Sequence, residues 1–209
     1  REISRLVDSH YPVLLFDRYF PEMRVNYVII NNEESSYKLV RHLIDKGFRK
    51  IAIITTNPHL LTMDMRREGY ANALSDAHIR INPDLYGEVT YVNYQDNIYS
   101  TLDRIFHAVP DVDAFFFTTH ILAIEALRYF YDRGIDITDG NWGLASMHED
   151  SLFRVLAPRM NIAHFPIEEI GSNAVRILLN QIRQSNDPAA GEYVPESKVL
   201  PCRMDFRDQ

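Results

Sequence analysis

Three short runs of uninterrupted apolar residues constrain this chain most: VLLF at 13–16, IAII at 51–54 and AFFF at 114–117. A strand with one face in water alternates apolar and polar residues, because successive side chains point to opposite faces. A strand apolar at every position has both faces covered, the condition of a parallel sheet flanked by helices. Strands are therefore expected at 13–16, 27–30, 51–55, 114–118 and 142–146. A weaker strand near 88–92 is interrupted by polar residues, and a last β-like segment lies near 197–206.

Helical periodicity fills the intervals. Asn32 can cap a helix that carries Glu33 and Glu34 in its first turn, where the helix dipole favours negative charge. Its apolar stripe is Tyr37, Val40, Leu43 and Ile44, and Gly47 closes it. Thr62 opens a second helix with Met65, Gly69, Ala73 and Leu74 on one face. A third shows Ile98, Leu102, Ile105 and Phe106 before Pro110, and a fourth Leu122, Ala126, Leu127 and Phe130 before Gly134. A long fifth carries Ile167, Ile170, Ala174, Ile177, Leu178 and Ile182. This alternation predicts an α/β fold: parallel sheet flanked by helices, Rossmann-like, with right-handed crossovers. The stretch 184–191 (QSNDPAAG) reads as a polar linker.

Composition narrows the function classes. The 209 residues suit one large domain or two small ones, and a chain of this size needs no metal or disulfide staple. Its formal net charge of −7 argues against this segment gripping a phosphate backbone itself. The single cysteine, Cys202, forbids an intrachain disulfide and suits a reducing cytoplasm. No apolar stretch approaches the roughly 18–20 residues that span a bilayer, and the charged start REISRLVDSH lacks a signal-peptide pattern. That start, reading mid-helix and without Met, is what a fragment of a longer protein would show.

Enzyme signatures are missing: there is no G-x-S-x-G elbow, Walker loop, G-x-G-x-x-G, H-E-x-x-H or C-x-x-C. No catalytic residue, cofactor or metal site is expected. His148, Glu149 and Asp150 are consecutive, whereas metal ligands normally come from separated positions. What remains is a set of polar residues just beyond strand ends, where ligands bind in open α/β sheets. These are Asp17 and Arg18, Asn31 and Asn32, Thr62 and Arg66, Thr119 and His120, and His148. Arg66, at the second turn of its helix, can fork onto ligand oxygens, or it can pair on the surface with Asp64 or Glu68. Asp17 faces a ligand or forms the turn before Pro21, and His120 is a ligand contact or a solvated helix start. Tyr91, Tyr94 and Tyr99 can stack on a sugar or base, although core packing explains Tyr99 equally.

The order of segments resembles the LacI/GalR family of transcription regulators. The residues carrying the resemblance are YPVLLFDRYFPEMRVNYVIINNEESSYKLVRHLIDKGFRKIAIIT, MRREGYANALSDAHI, DAFFFTTHILAIEALRYFYDRGIDI and NIAHFPIEEIGSNAVRILLNQI, which together span nearly the whole chain. The resemblance implies a type I periplasmic-binding-protein-like sensor: two Rossmann-like subdomains around an effector cleft, in a cytoplasmic homodimer. DNA would be bound only by a separate helix-turn-helix, with no membrane partner. The helix-turn-helix and the start of the sensor would then be absent here. Residues 1–32 and 162–186 would be the remnant of an N-terminal subdomain, loosened or covered by a second copy, and 33–161 with 187–209 the C-terminal subdomain.

The resemblance puts Arg66, Thr62 and Asp17 on positions that contact the effector; with Tyr94, Thr119 and His148, taken from their places near the strand ends and the expected cleft, the expected ligand set is Asp17, Thr62, Arg66, Tyr94, Thr119 and His148. The chain departs from the family pattern at three places. Thr119-His120 stands for an Asn-Asp pair, Ser146-Met147-His148 for a Gly-Phe-Asp-Asp loop, and Phe165 for a Gln. The acid that commonly holds sugar hydroxyls is thus missing from its place. Either Glu149 or Asp150 substitutes, or the effector is not an ordinary free sugar. The expected function is effector sensing, with a sugar or sugar derivative as ligand. A solute-binding protein for sugar uptake is the alternative, and an α/β enzyme using His120 or His148 is a third reading.

Overall fold

The computed structural model describes residues 2–56, 60–90, 92–138, 140–187, 189, 191 and 193–207. The chain divides into two units, each assembled from separate stretches. The smaller is Arg1–Asn31 with Pro166–Cys202, and the larger is Asn32–Phe165 with Arg203–Gln209.

The smaller unit holds helix α1 (Glu2–Asp8), strands β1 (Leu14–Phe16) and β2 (Asn26–Ile30), helix α7 (Ile167–Ser185) and strand β8 (Ser197–Leu200). Its three strands are parallel in the order β1-β2-β8. Val28, Ile177 and Leu200 form its small core, with Leu14, Ile170 and Ala174 packed against them. Asn26 is buried, and its amide is fully used. It donates to Val13 O (2.9 Å) and Gln181 Oε1 (2.8 Å), and accepts from Tyr193 OH (2.6 Å) and Glu196 N–H (2.8 Å). One satisfied amide therefore ties both early strands to α7 and to the segment before β8, where an unsatisfied one would be costly.

The larger unit runs α2 (Asn32–Asp45), β3 (Ile51–Thr56), α3 (Leu61–Asp76), β4 (Tyr86–Val89), α4 (Tyr94–Ala108) and β5 (Ala114–Phe117). It continues with α5 (His120–Asp132), β6 (Gly143–Met147), the short α6 (Phe153–Leu156), β7 (Asn161–His164) and finally β9 (Arg203–Asp205). The sheet order is β4-β3-β5-β6-β7-β9, parallel except for β9.

The AFFF run shows why its pattern is continuous. Phe115 and Phe117 belong to the core that α4 and α5 complete with Ile98, Leu102, Ile105, Ala126 and Phe130. Phe116 points the other way and stacks on Tyr70 of α3, ring centroids 6.5 Å apart. Strands β3, β5 and β6 are buried at every residue, as two covered faces require. On the α3 side, Gly69 is obligatory. A Cβ there would lie 2.2 Å from Glu33 O and 2.8 Å from Ser36 Cβ, so α2 and α3 meet through a residue with no side chain.

Several expectations need correction. The division expected at 32, 161 and 186 falls at 31, 165 and 202. Residues 161–164 form β7, which pairs in parallel with β6 and so belongs to the larger unit. Residues 197–200 form β8, which pairs with β2 and belongs to the smaller unit, while only 203–209 stay with the larger one. The single strand expected near 197–206 is thus two strands in two sheets, separated by Pro201 and Cys202. The weak strand near 88–92 lies earlier, at Tyr86–Val89.

Candidate functional site

Beyond the carboxyl ends of β3, β5, β6 and β7, the larger unit gathers a cluster of polar and aromatic side chains. Arg66 sits in the second turn of α3 and is only 4% exposed. Its Nε donates to Asn32 Oδ1 at 2.7 Å and its Nη1 to Thr118 O at 2.6 Å. The surface-pair alternative goes to its neighbour: Arg67 pairs with Asp64. Helix geometry explains the exchange, since positions three apart share a face and positions two apart do not. Thr62, in the first turn of α3, is buried. Thr118 Oγ1 donates to Ile54 O (3.3 Å) or Thr55 Oγ1 (3.1 Å), closing the gap between the ends of β3 and β5.

Thr119 caps α5, its Oγ1 accepting from Leu122 N–H at 3.4 Å, and His120 opens that helix. The rings of His120 and His148 meet edge to face with centroids 5.0 Å apart. His148 follows β6 in a left-handed conformation (φ 75), unusual for a residue with a side chain and characteristic of functional loops. Phe165, just after β7, lies 4.6 Å from the His148 ring, and the Arg66 guanidinium carbon is 5.5 Å from the Phe165 centroid. Arg66, Phe165, His148 and His120 thus form a continuous ladder of flat groups. His148 Nδ1 is buried with no hydrogen-bond partner among the described residues, as is Thr56 Oγ1 at the end of β3. Burial pushes the His120 imidazole below its ordinary pKa, and the Arg66 charge acts in the same direction against Asp150. Burial lowers His148 too, followed by the charges of His120, Arg66 and His164, with Glu149 opposing.

The acids of this region are engaged. Glu149 lies 3.0 Å from His164 Nδ1 and 3.4 Å from Arg154, and His164 Nε2 is 3.2 Å from Asp205. That contact and Arg207 hold the Asp205 carboxyl below the usual carboxylate range. Asp150 Oδ1 accepts from Leu152 N–H at 2.9 Å and fixes the turn into α6. Among the described residues, no three His, Cys, Asp or Glu side chains are arranged to hold a metal ion.

Of the expected ligand residues, Thr62, Arg66, Thr119 and His148 come together at this end of the larger sheet. Tyr94 opens α4 and packs against the hydrophobic core. Asp17 belongs to the smaller unit, in a left-handed turn residue (φ 62) with Arg18 3.9 Å away and its side chain half exposed. Tyr91 lies outside the described residues, and Tyr99 donates to Asp132 at 2.5 Å on the surface between α4 and α5. The ligand set omitted Asn32, His120 and Phe165. Asn32 and His120 were signalled by their places two and three residues past a strand, and Phe165 only by its departure from the family pattern.

An open parallel sheet with a buried arginine and paired imidazoles beyond its strand ends defines an α/β domain of the kind that holds small ligands at that edge. Residues 40–205 match the periplasmic binding protein-like domain family. The chain belongs to that family, as the resemblance to LacI/GalR-type regulators implied. It is 27% identical over 176 residues to the ribose operon repressor of Haemophilus influenzae, covering 84% of this chain and 52% of that protein. The chain thus spans about half the length of that relative. Among solved structures, it is similar in fold to a transcriptional regulator CelR–cellobiose complex (TM-score 0.82, 23% identity, 97% of this chain and 60% of that one). It is also similar to the Cra transcriptional dual regulator of Pseudomonas putida in complex with fructose 1-phosphate (TM-score 0.81, 18% identity, 100% and 73%).

Proposed function

We propose that this chain is the effector-sensing part of a cytoplasmic LacI/GalR-type transcription regulator and that its ligand is a sugar or sugar derivative. The observation that carries the reading is Arg66, a cation buried at the strand ends and clamped by two neutral oxygens beside unsatisfied polar atoms. A buried guanidinium aimed at such an edge suits oxygen-rich ligands. The relatives named as a repressor and as transcriptional regulators favour regulation over sugar uptake, and the cellobiose and fructose 1-phosphate held by two of them favour a carbohydrate. DNA would be contacted by a helix-turn-helix outside this chain. No chemical turnover is required, because a sensor works only through different ligand affinity in its conformations. Thr62, Thr119 and His148 would line the site with Arg66, and Asp17 and Tyr94 remain proposed contacts.

A second copy is proposed as the partner, seated on the outer face of α5 and α6. Ile124, Leu127, Tyr131, Ile135, Ile137 and Leu156 line one apolar groove there, and Tyr131 is 85% exposed. Exposed apolar surface of this kind is characteristic of an association face.

The test is calorimetric, using this chain against a panel of mono- and disaccharides and their derivatives. At least one is expected to bind. Arg66→Lys keeps the charge but loses the fork, and should weaken that binding by about 1–3 kcal/mol. Binding unchanged in a folded Arg66→Lys variant would remove Arg66 from the site, and a panel without any ligand would overturn the sensor reading.

A further inference from the structure

The donors and acceptors at the strand ends say more about the ligand, granted the sensor reading above. We infer that the effector is a polyol carrying an anionic group, a carboxylate or a phosphate, which seats against Arg66 and the His120–His148 pair.

The first support is the balance of charge. A neutral sugar is held largely through its hydroxyl protons, which need acceptor oxygens, and carboxylates are the strongest of these. On the loop after β6, Glu149 is paired with His164 and Arg154, and Oδ1 of Asp150 accepts from Leu152 N–H in the turn before α6. What faces the edge instead is one guanidinium and two imidazoles. All three can present N–H donors, and two of them can gain a proton.

The second support is geometric. His148 Nδ1 is buried without a hydrogen-bond partner among the described residues, on a backbone held at φ 75. A buried, unsatisfied ring nitrogen in a strained loop is costly unless something completes it. An anionic oxygen would accept from that nitrogen once the ring is protonated. Phe165 fixes the plane of the His148 ring, and its contact with Arg66 keeps the guanidinium and imidazole on one ladder.

Proton uptake follows. Burial, with Arg66 from α3, biases both imidazoles toward the neutral form, and the charges of His120 from α5 and His164 from β7 add to the effect on His148. Asp150 and Glu149, from the loop after β6, act the other way, and on His120 the Asp150 charge outweighs that of Arg66. A bound anion adds a far closer negative charge and raises both imidazoles, so the acid-bearing ligand binds with proton uptake. By linkage its affinity rises as pH falls through the interval between the empty and bound imidazole pKa values.

The experiment titrates this chain with neutral sugars and with their uronate and sugar-phosphate counterparts, glucose, glucuronate and glucose 6-phosphate among them. Calorimetry at about pH 6 and about pH 8 is paired with NMR of the histidine rings. At the lower pH at least one acid should bind about tenfold or more tightly than its neutral parent, the equivalent of one pKa unit. Glucuronate does not change charge in this interval, so its pH dependence isolates the imidazoles, whereas the phosphate arm distinguishes the two anion types. His120 and His148 ring resonances should titrate at higher pH in the acid complex than in the empty protein. In His148→Asn, checked for folding by circular dichroism, the pH dependence of acid binding should shrink. Neutral sugars matching both acids, or ring titrations unmoved by bound acid, would overturn the inference and leave the sensor reading standing. If no polyol of either kind binds, both fall together.

Discussion

The two units build parallel sheets from similar strand–helix segments, but they enclose their strands to different degrees. In the larger, β3, β5 and β6 are buried at every residue, with α3 packed on one side and α4 and α5 on the other. In the smaller, β8 exposes three of its four residues, and α7 fully buries only Ile177 while Val175 is 60% exposed. The lesson is that a parallel strand acquires its stability from two covered faces, and the same chemistry with fewer partners gives a thinner core. Local stability should divide along the same line.

The largest effect expected is on that division. Phe115→Ala, which opens a cavity between β5, α4 and α5, should cost about 3–5 kcal/mol of the larger unit's stability. Ile177→Ala should cost about 2 kcal/mol in the smaller unit, at the low end for such truncations, because less surrounds it. Denaturant unfolding of each variant, with hydrogen exchange resolved by peptide, measures both. Equal protection of β2 and β5 amides in the unmodified chain would erase the contrast.

A smaller effect concerns association. If the α5–α6 face of the larger unit seats the second copy, Tyr131→Asp should shift sedimentation toward the monomer, whereas Val175→Asp on α7 of the smaller unit should not. The reverse outcome would move self-association to the thinner unit. Either substitution alone should change folding stability by no more than about 0.5 kcal/mol, as is usual on an exposed surface.

The smallest effect is on pH. His120 and His148 lie below their ordinary 6.5 in the folded larger unit, so between the folded and unfolded values the unfolded chain binds more protons. Their neutral forms support folding above the unfolded value, and that support declines as pH drops below it. Replacing both with Asn should flatten the loss of thermal stability on mild acidification. A slope unchanged by the double replacement would show that other groups govern it.

Much of the fold could be read from the chain because two-sided burial leaves a local trace. AFFF and IAII announce their strands without reference to anything distant. β7 left no such trace: NIAH is short, begins and ends polar, and runs straight into a proline and an amphipathic helix. The split of β8 from β9 depends on which distant strand each meets, β2 or β7, and only Pro201 hints at a break. At the strand ends, Arg66 was visible from its place on the helix, but its clamp by Asn32 and Thr118 is a tertiary fact. Phe165 was noticed as a departure from the family pattern. Its role as the rung between Arg66 and His148 emerges only when β7 lies beside β6.

The chain passes between the units three times, after Asn31, after Phe165 and after Cys202. Neither unit is therefore a contiguous piece of sequence, and no single truncation yields one intact. During synthesis β2 emerges early but waits for β8, its partner some 170 residues later in the register Tyr27 with Ser197. Sheet strands β3 to β7 of the larger unit can assemble from one uninterrupted stretch in the meantime. Contacts so distant in sequence close slowly, so the β2–β8 pairing of the smaller unit is completed only after strands β3 to β7 have been made.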